Sequence, residues 1–402
     1  MSPGEKKPIN VLFITPHYLP TIGGAEIAIQ NLCEALNKKG AKPFLLTKSI
    51  GAAGTRPERR GNVDVFRYTT ISVFRTINSF LTRFSRSLIP VQHIEAIFCA
   101  WKIIKKYDID LIHVHYFTDT SLVGYLCKKI LGKPMITHLV GDDIYDPIKP
   151  IQSNKWRYYS LILNSSSAVV VPSNFVKNVL STRAKVKNCT IIPYGLDTQK
   201  FKPVSEVDKV QLRKKINVGD NDQLVVAVQS LWPRKKVEVL LQAARIVVDT
   251  LPNTRFIVVG DGSEKEKLRS IARQLGLEKN VVFTLRVSEA DLINYLSVAD
   301  VFSIHTLHEG FGVVYIEAMS MGLPIVTTRA AGNEDIIEDG ENGFLVPPND
   351  PRKLADKIIS LLKDSESRQR MSTHNREAAL EKFDLTNIAE KWAALYEKTL
   401  SC

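Results

Sequence analysis

The chain has 402 residues, 44% of them hydrophobic and 24% charged, which is ordinary for a globular protein but exceeds what one hydrophobic core usually supports. Two domains are therefore expected. The formal net charge is +12, and it is uneven, because residues 1–200 hold 27 basic and 13 acidic side chains. This asymmetry favours an anionic partner for the first half, whether membrane lipid, nucleic acid or a phosphorylated substrate.

The cysteines and the apolar runs exclude several classes of protein. Five cysteines are widely spaced without a Cys-x-x-Cys pair, so neither a disulfide framework nor a structural zinc site is indicated. The apolar run Val11 to Ile14 is too short for a signal-peptide core, and no run of roughly eighteen apolar residues predicts a transmembrane helix. A cytoplasmic location is expected.

The first half alternates short β-branched runs with amphipathic stretches, which is typical of a parallel sheet with crossover helices. A first strand, Val11 to Thr15, is followed by a glycine-containing loop and a helix, Ala25 to Lys39. A long helical region is expected between Tyr68 and Asp108. Further strands are predicted at Phe44 to Thr47, Val63 to Tyr68, Leu111 to His115, Met135 to His138, Ala168 to Val171 and Thr190 to Ile192.

A second series follows a polar, lysine-rich stretch, Lys200 to Asp222, which we interpret as the linker and entry to the second domain. Its strands are predicted at Leu224 to Val228, Arg255 to Val259, Val281 to Thr284, Val301 to Ile304, Ile325 to Thr327 and Gly343 to Val346. Its helices are predicted at Lys236 to Thr250, Glu264 to Leu275, Glu289 to Ser297, Val313 to Met321 and Pro351 to Leu362. The pattern predicts an α/β protein with two Rossmann-like, doubly wound parallel-sheet domains, residues 1–195 and 196–380. We expect the C-terminal helix in residues 381–402 to pack back on the first domain.

Two carboxylates follow the predicted strand Val301 to Ile304. Glu309 lies in a loop, and Glu317 lies inside the next helix, which is otherwise apolar. A carboxylate there is costly unless it is paired or hydrogen-bonded. Because helical side chains lean toward the N-terminus, Glu317 can reach back toward Glu309, and both could accept hydrogen bonds from a ribose and a hexose. Gly310 and Gly312 leave the helix start open to an anion such as a diphosphate.

The spacing of these carboxylates also allows a purely structural interpretation. Glu317 could pair with an internal arginine, and Glu309 could be an ordinary solvated side chain. The longer pattern around them favours a ligand site.

In this longer pattern the chain resembles the retaining glycosyltransferases of the GT-B fold, family 4. The resemblance covers nearly the whole chain, and four segments carry its most specific part: Glu309-Gly-Phe-Gly, Glu317-Ala-Met, Gly322-Leu-Pro-Ile-Val and Gly340 to Pro347. It implies a cleft between two Rossmann-like domains, with a nucleotide-sugar donor bound by the second. The first domain would bind a glycan or lipid-linked acceptor. The family needs no metal, so no cofactor is expected.

The resemblance also assigns roles to single residues. It implies that Glu309 contacts the donor sugar as a catalytic residue and that Glu317 contacts the ribose. Backbone amides of Phe311, Gly312 and Val313 match those that lie along the sugar and the diphosphate.

Two other loops carry matching residues and one departure. Gly23 and Gly24, after the first strand, resemble the family's glycine-rich loop, which approaches the diphosphate or the acceptor. Lys235 matches a lysine that binds the diphosphate, whereas Ser230 stands where the family usually has an arginine. Arg234 is a candidate substitute for that arginine.

The family's catalytic histidine is displaced in this chain. When the segment is aligned on Gly141 and Asp143, Val140 occupies the histidine position. His138 lies two residues earlier, and alternation along a strand directs it to the same face. We therefore predict His138 as a catalytic residue, while a histidine at a strand end is more often structural.

No metal site is expected from the sequence. His113 and His115 share one face of a predicted strand but have no third ligand at metal spacing, so they indicate cleft lining or core. Asp142 and Asp143 are adjacent and could ligate a cation, but nothing else in the pattern supports one.

A basic stretch between Arg67 and Lys106 interleaves cations with bulky apolar residues. The cations are Arg67, Arg75, Arg83, Arg86, Lys102, Lys105 and Lys106. Such a helix suits an anionic membrane surface, although a core-packed helix with a solvated basic side fits nearly as well. The first alternative predicts a protein that is peripheral at the inner face of the cytoplasmic membrane and acts on a lipid-linked acceptor.

The sequence therefore predicts a hexosyltransferase, with a lipid-linked or surface glycan of the cell envelope as the acceptor. The alternative is a nucleotide-sugar-binding protein that has lost catalysis, motivated by Ser230 and Val140. A nucleic-acid-binding protein is disfavoured because no recognition motif accompanies the basic charge.

Overall fold

A computed structural model describes residues 7–20, 23–49, 57–68, 92–118, 120–145, 153–186, 188–219 and 221–401. The chain divides into two compact units. The first comprises Met1–Asp146, Pro150–Gly195 and Leu385–Cys402, and the second comprises Pro147–Lys149 and Leu196–Asp384.

The first unit is built on an eight-stranded sheet in the order β3-β4-β2-β1-β5-β6-β7-β8. Its strands are β1 (Ile9–Thr15), β2 (Ala41–Lys48), β3 (Glu58–Arg60), β4 (Val63–Tyr68), β5 (Leu111–His115), β6 (Met135–His138), β7 (Ala168–Val171) and β8 (Cys189–Ile191). Its helices are α1 (Gly24–Asn37), α2 (Gln92–Lys106), α3 (Thr120–Leu131), α4 (Ser153–Ser165), α5 (Asn174–Arg183) and, numbered last in the chain, α13 (Leu385–Leu400). Only the pairing of β3 with β4 is antiparallel among the described strands.

Alternation along the buried strands sends side chains into two separate cores. Leu12 of β1 and Val114 of β5 face the core that includes Ala96 and Ala100 of α2. Phe13 faces the other core, where α1 packs together with Trp392 and its neighbours on α13. The last helix of the chain is therefore part of the hydrophobic core of the first unit.

The second unit holds a six-stranded parallel sheet in the order β11-β10-β9-β12-β13-β14. Its strands are β9 (Gln223–Val228), β10 (Thr254–Val259), β11 (Val281–Leu285), β12 (Val301–Ile304), β13 (Ile325–Thr328) and β14 (Gly343–Val346). Its helices are α6 (Glu206–Lys215), α7 (Val237–Thr250), α8 (Lys265–Gln274), α9 (Glu289–Val298), α10 (Val313–Ser320), α11 (Pro351–Lys363) and α12 (Ser365–Lys382). Two short 3-10 helices, Pro233–Lys235 and Ala331–Asp335, follow β9 and β13.

From the sequence, residues 200–222 are the linker and entry to the second domain, and the structure adds that they include a helix. They contain α6, which Ser205 caps by accepting a hydrogen bond from the Asp208 amide. The helix is anchored by Arg213, whose guanidinium donates to the Val298 carbonyl at 3.0 Å and to the Asp300 carboxylate at 2.7 Å. These contacts make the stretch part of the second unit.

The long helical region predicted between Tyr68 and Asp108 is described only as α2, and the rest of it lies outside the described residues. Arg75, Arg83 and Arg86 of the predicted basic stretch therefore also lie outside them. Among the described helices, none combines the length and the hydropathy that crossing a bilayer demands.

Candidate functional site

In the second unit the strand order reverses between β9 and β12, which pair in parallel as central strands. Ligands of open α/β sheets bind outside the carboxyl ends of the strands at such a reversal. The loop after β9 carries Lys235 and the loop after β12 carries Glu309, and the Lys235 Nζ lies 2.5 Å from the Glu309 Oε2. Their side chains are only 8% and 14% exposed. The fold thus joins two of the predicted site residues in one shielded ion pair.

Backbone contacts fix the loop that carries Glu309. The Leu307 amide donates to the Arg234 carbonyl at 3.2 Å, which ties this loop to the loop after β9. The Gly332 amide, after β13, donates to the Glu309 carbonyl at 2.8 Å. A Cβ at Gly332 would lie 2.3 Å from the Gly310 carbonyl oxygen, so only glycine allows this approach. Loops from three neighbouring strands therefore converge on Glu309.

Buried polar side chains reinforce the same edge of the sheet. The Thr328 hydroxyl accepts from the Thr306 amide at 3.2 Å and donates to the Thr306 carbonyl at 2.6 Å. His305 accepts from the Asn349 amide through Nε2 at 3.0 Å. Burial lowers the pKa of His305 to about 4, so its ring is neutral and can accept this bond.

The first turn of α10 lies directly after the Glu309 loop. Gly312 is its N-cap residue and no side chain caps the helix. Because a helix start has amides without intrahelical partners, the amide of Val313 and its neighbours can bind an anion. A Cβ at Gly312 would lie 2.5 Å from the Tyr315 ring and 3.2 Å from the Glu309 Cγ, so glycine lets all three residues pack together. Phe311 is buried beside this turn and contacts the ring of Phe383.

Glu317 lies on α10, one turn after its first residues. Its Oε2 is buried without a hydrogen-bond partner, and Glu317 forms no ion pair with any described residue. The alternative of an internal arginine partner is therefore wrong for the described part of the chain. Burial, with a smaller contribution from Glu289, raises the pKa of Glu317 to about 8. A buried carboxyl oxygen without a partner indicates a group that meets its partner in a ligand.

The remaining residues of this edge include one that the sequence analysis missed. Arg234, the candidate substitute for the usual arginine, is half-buried on the 3-10 helix beside Lys235. Gln229, directly after β9, is buried, and neither polar atom of its amide side chain has a hydrogen-bond partner in the described residues. A glutamine that ends an apolar strand was a visible signal in the sequence.

In the first unit, the predicted glycines begin α1. Gly23 is the N-cap residue, its backbone is extended, and Gly24 is the first helical residue. A Cβ at Gly24 would meet no atom within 4 Å, so the space beside this residue is open. The two residues before Gly23 lie outside the described residues.

His138 ends β6, where its ring is buried against Trp392 and Tyr194. Its Nδ1 lies 3.1 Å from the Nδ1 of His115. His113 and His115 are buried, as their interpretation as cleft lining or core expects, and His138 lies beside them, with one ring nitrogen from each of the three within 4.8 Å of the other two. The sequence analysis missed this because the third histidine is on a neighbouring strand.

Asp143 has a structural role instead of the cation-binding role considered from the sequence. Its carboxylate accepts from the amides of Phe117 at 2.7 Å, Gly141 at 2.8 Å and Val140 at 3.1 Å. Burial raises its pKa to about 6, although the three amides act in the opposite direction. These bonds fasten the loops after β5 and β6 to each other.

The fold is therefore that of a two-domain α/β protein with two Rossmann-like sheets, and a shielded ion pair lies at the strand-order reversal of the second. Residues 22–200 match the family described as Glycosyltransferase Family 4, and residues 208–378 match Glycosyl transferases group 1. The chain belongs to the family 4 glycosyltransferases and has the GT-B fold.

Individual proteins agree with this assignment. The chain is 26% identical over 303 residues to N-acetyl-alpha-D-glucosaminyl L-malate synthase of Bacillus anthracis, covering 74% of this chain and 77% of that protein. It is 25% identical over 326 residues to UDP-Gal:alpha-D-GlcNAc-diphosphoundecaprenol alpha-1,3-galactosyltransferase of Escherichia coli, covering 79% of this chain and 82% of that protein. The structure of Anabaena HepE in complex with UDP and glucose superposes with a TM-score of 0.78 at 23% identity, covering 97% of this chain and 100% of HepE. The chain is a glycosyltransferase.

Proposed function

We propose that the chain is a retaining hexosyltransferase that binds a nucleotide-sugar donor at the carboxyl ends of β9, β12 and β13. The observation that carries the proposal is the ion pair between Lys235 and Glu309, held by three loops beside the uncapped start of α10. Cation, carboxylate and helix amides together match a diphosphate joined to a sugar.

Each residue has a distinct role in this proposal. The diphosphate binds the Lys235 ammonium and the backbone amides at Phe311, Gly312 and Val313. The diphosphate thereby replaces Glu309 as the partner of the Lys235 ammonium. The Glu309 carboxylate can then accept hydrogen bonds from the sugar hydroxyls. The ribose hydroxyls donate to Glu317, whose buried oxygen is otherwise unpartnered. Arg234 adds positive charge beside Lys235.

The chemistry follows from these charges. The bond between the anomeric carbon and the diphosphate oxygen breaks, and the acceptor oxygen bonds to the same face of the sugar. The acceptor proton passes to the departing diphosphate. Lys235 and the helix amides stabilise the negative charge that develops on that oxygen, so no enzyme nucleophile is needed. Gly23 and Gly24 in the first unit remain predicted ligand contacts, and the catalytic role of His138 stays a prediction.

The related proteins suggest the ligands. The galactosyltransferase is named for the donor UDP-Gal, and HepE was solved in complex with UDP and glucose, so a UDP-hexose is the first donor to examine. The galactosyltransferase acts on a diphosphoundecaprenol-linked sugar. We propose a lipid-linked or surface glycan as the acceptor.

The exposed face of α2 supports a membrane-bound acceptor. Ile94, Phe98 and Trp101 lie one and two turns apart on the helix, and all three are exposed. The Lys102 Nζ lies 4.3 Å from the centre of the Phe98 ring, and Lys105 and Lys106 follow on the same helix. Aromatic and cationic side chains on one helix suit the headgroup region of an anionic bilayer. We propose peripheral binding at the inner face of the cytoplasmic membrane.

A screen of nucleotide sugars by thermal shift tests the donor assignment. A donor at 100 times its Kd stabilises the folded chain by about 2.7 kcal/mol, so a UDP-hexose should raise the Tm measurably. Product analysis with prenyl-diphosphate-linked acceptors should then show the transferred sugar with the anomeric configuration of the donor. Binding without turnover over a broad acceptor panel would indicate the catalytically inactive alternative, and inverted product would contradict the retaining mechanism.

A further inference from the structure

Three histidines form a closed group in the first unit. β5 and β6 are adjacent parallel strands in which His115 is the register partner of His138. His113 lies two residues before His115, so alternation places all three side chains on one face of the sheet. His113 is 0% exposed, and His115 and His138 are each 2% exposed. The group is therefore a feature of the core of the first unit.

Each of the three rings has a buried nitrogen without a partner. The Nδ1 atoms of His115 and His138 lie 3.1 Å apart, so without an ion one ring donates to the other, and an ion bound by both rings would replace this hydrogen bond. The Nε2 atoms of all three histidines are buried and have no hydrogen-bond partner among the described residues. An unsatisfied buried polar atom costs about 1–3 kcal/mol, so three together need an explanation.

The surroundings keep these rings neutral. His113 stacks on Phe13 with ring centres 4.3 Å apart, and Trp392 packs on His113 and His138 at 4.6 and 4.8 Å. Burial lowers the pKa of His115 to about 3 and moves the pKa values of His113 and His138 in the same direction. Neutral imidazole is the form that binds metal ions.

We propose that His113, His115 and His138 bind one divalent first-row transition ion, with Zn²⁺ as the reference case. One ring nitrogen from each histidine lies within 4.8 Å of the nitrogens of the other two. Ligand nitrogens in a tetrahedral zinc site are about 3.4 Å apart, so ring movements of about 1 Å close the site. Three imidazoles are a donor set that suits zinc, copper, nickel or iron.

Tyr396 on α13 acts as a positioning residue for this site. Its hydroxyl lies 2.7 Å from the Nδ1 of His113. When the hydroxyl accepts the Nδ1–H, the lone pair of Nε2 is free for the metal, as in sites where a second group orients the ligating imidazole. The ion would thereby couple the C-terminal helix to β5 and β6, which suits a structural role.

The test measures the metal content of the full chain. Protein produced in zinc-supplemented medium and dialysed against a chelator should hold one zinc per chain by elemental analysis, because the site is enclosed. His138→Val should lose the metal. Tyr396→Phe keeps all three ligands and should weaken zinc binding about tenfold in a competition titration with a chromophoric chelator.

Two controls keep the test decisive. His17→Ala removes an exposed histidine of the same unit and should leave the zinc content unchanged. Wild-type protein refolded with Co²⁺ should show the visible absorption of a tetrahedral site, which does not depend on the folding of any variant. Equal zinc content in wild type and His138→Val, together with no cobalt absorption, would overturn the proposal and leave a hydrogen-bonded core of imidazoles.

Discussion

The two sheets reverse their strand order at comparable places and carry opposite chemistry there. Between β9 and β12 the second unit has a charged pair, Lys235 and Glu309, with backbone amides beside it. Between β1 and β5 the first unit has Phe13 stacked on His113, in a group of neutral imidazoles. The same architecture thus holds a shielded ion pair in one unit and an uncharged, enclosed cluster in the other. Fold alone does not decide which of these a strand-order reversal contains.

The largest effect is expected from Glu309→Gln, which removes the negative charge of the ion pair in the second unit. The variant leaves Lys235 in its shielded position without a counter-ion and weakens the contact to the sugar. Turnover should fall about 100-fold or more, since the loss of one preorganised electrostatic group typically has this effect. Single-turnover assays with the donor from the screen measure it.

Glu341→Gln is the matched control for this variant, because Glu341 is an exposed carboxylate of the same unit. It should keep wild-type turnover. If Glu309→Gln retains turnover within a factor of a few while folding normally, the ion pair is structural and the donor site lies elsewhere.

A second prediction concerns the pH dependence of donor binding. The pKa of Glu317 is about 8 before binding, and hydroxyls that donate to its carboxylate lower that pKa. Binding therefore releases a proton below pH 8, so the donor Kd should fall by up to about tenfold per pH unit as pH rises toward 8. Above pH 8 the carboxyl is ionised in both states, and the Kd should become constant.

Calorimetric titrations in buffers of different ionisation enthalpy measure this proton release. Glu317→Gln cannot titrate and should bind the donor with a Kd that is flat over the same pH range. A flat wild-type profile would mean that Glu317 does not contact the donor.

The smallest effect is expected on membrane binding by the first unit. Replacing Phe98 and Trp101 on α2 by serine should weaken binding to vesicles that contain an anionic phospholipid by roughly tenfold, because apolar area is lost from the inserted face. Co-sedimentation measures the partition coefficient. Ile130→Ser, on the exposed side of α3, is the control and should bind like wild type. Equal binding by the wild type, the double serine variant and Ile130→Ser would contradict the membrane proposal. It would not bear on the donor site.

The sequence predicted most strands of both sheets because their apolar, β-branched runs are short and clearly bounded. It missed α12, whose charged composition gives little periodicity although Met371 and Ala379 are fully buried. It also missed β3, a three-residue edge strand of charged residues that is defined by its pairing with β4. Edge strands of this kind carry no apolar alternation to detect.

The candidate site residues could be picked out singly from the sequence but not as an arrangement. Glu309, Glu317 and Lys235 each stood out, yet the contact between Lys235 and Glu309 depends on β9 and β12 being neighbours in the sheet. The histidine group has the same origin, since His138 joins His115 only through the register of β5 and β6. Sequence spacing cannot reveal contacts that pass across strands, and both of these contacts do.

The most direct test of the central claim is an experimental structure of the chain bound to the nucleotide sugar that the screen identifies. The account predicts the diphosphate on the Lys235 ammonium and the first amides of α10, the sugar hydroxyls on Glu309 and the ribose on Glu317. A donor bound away from the carboxyl ends of β9 and β12, with the ion pair between Lys235 and Glu309 intact, would contradict it.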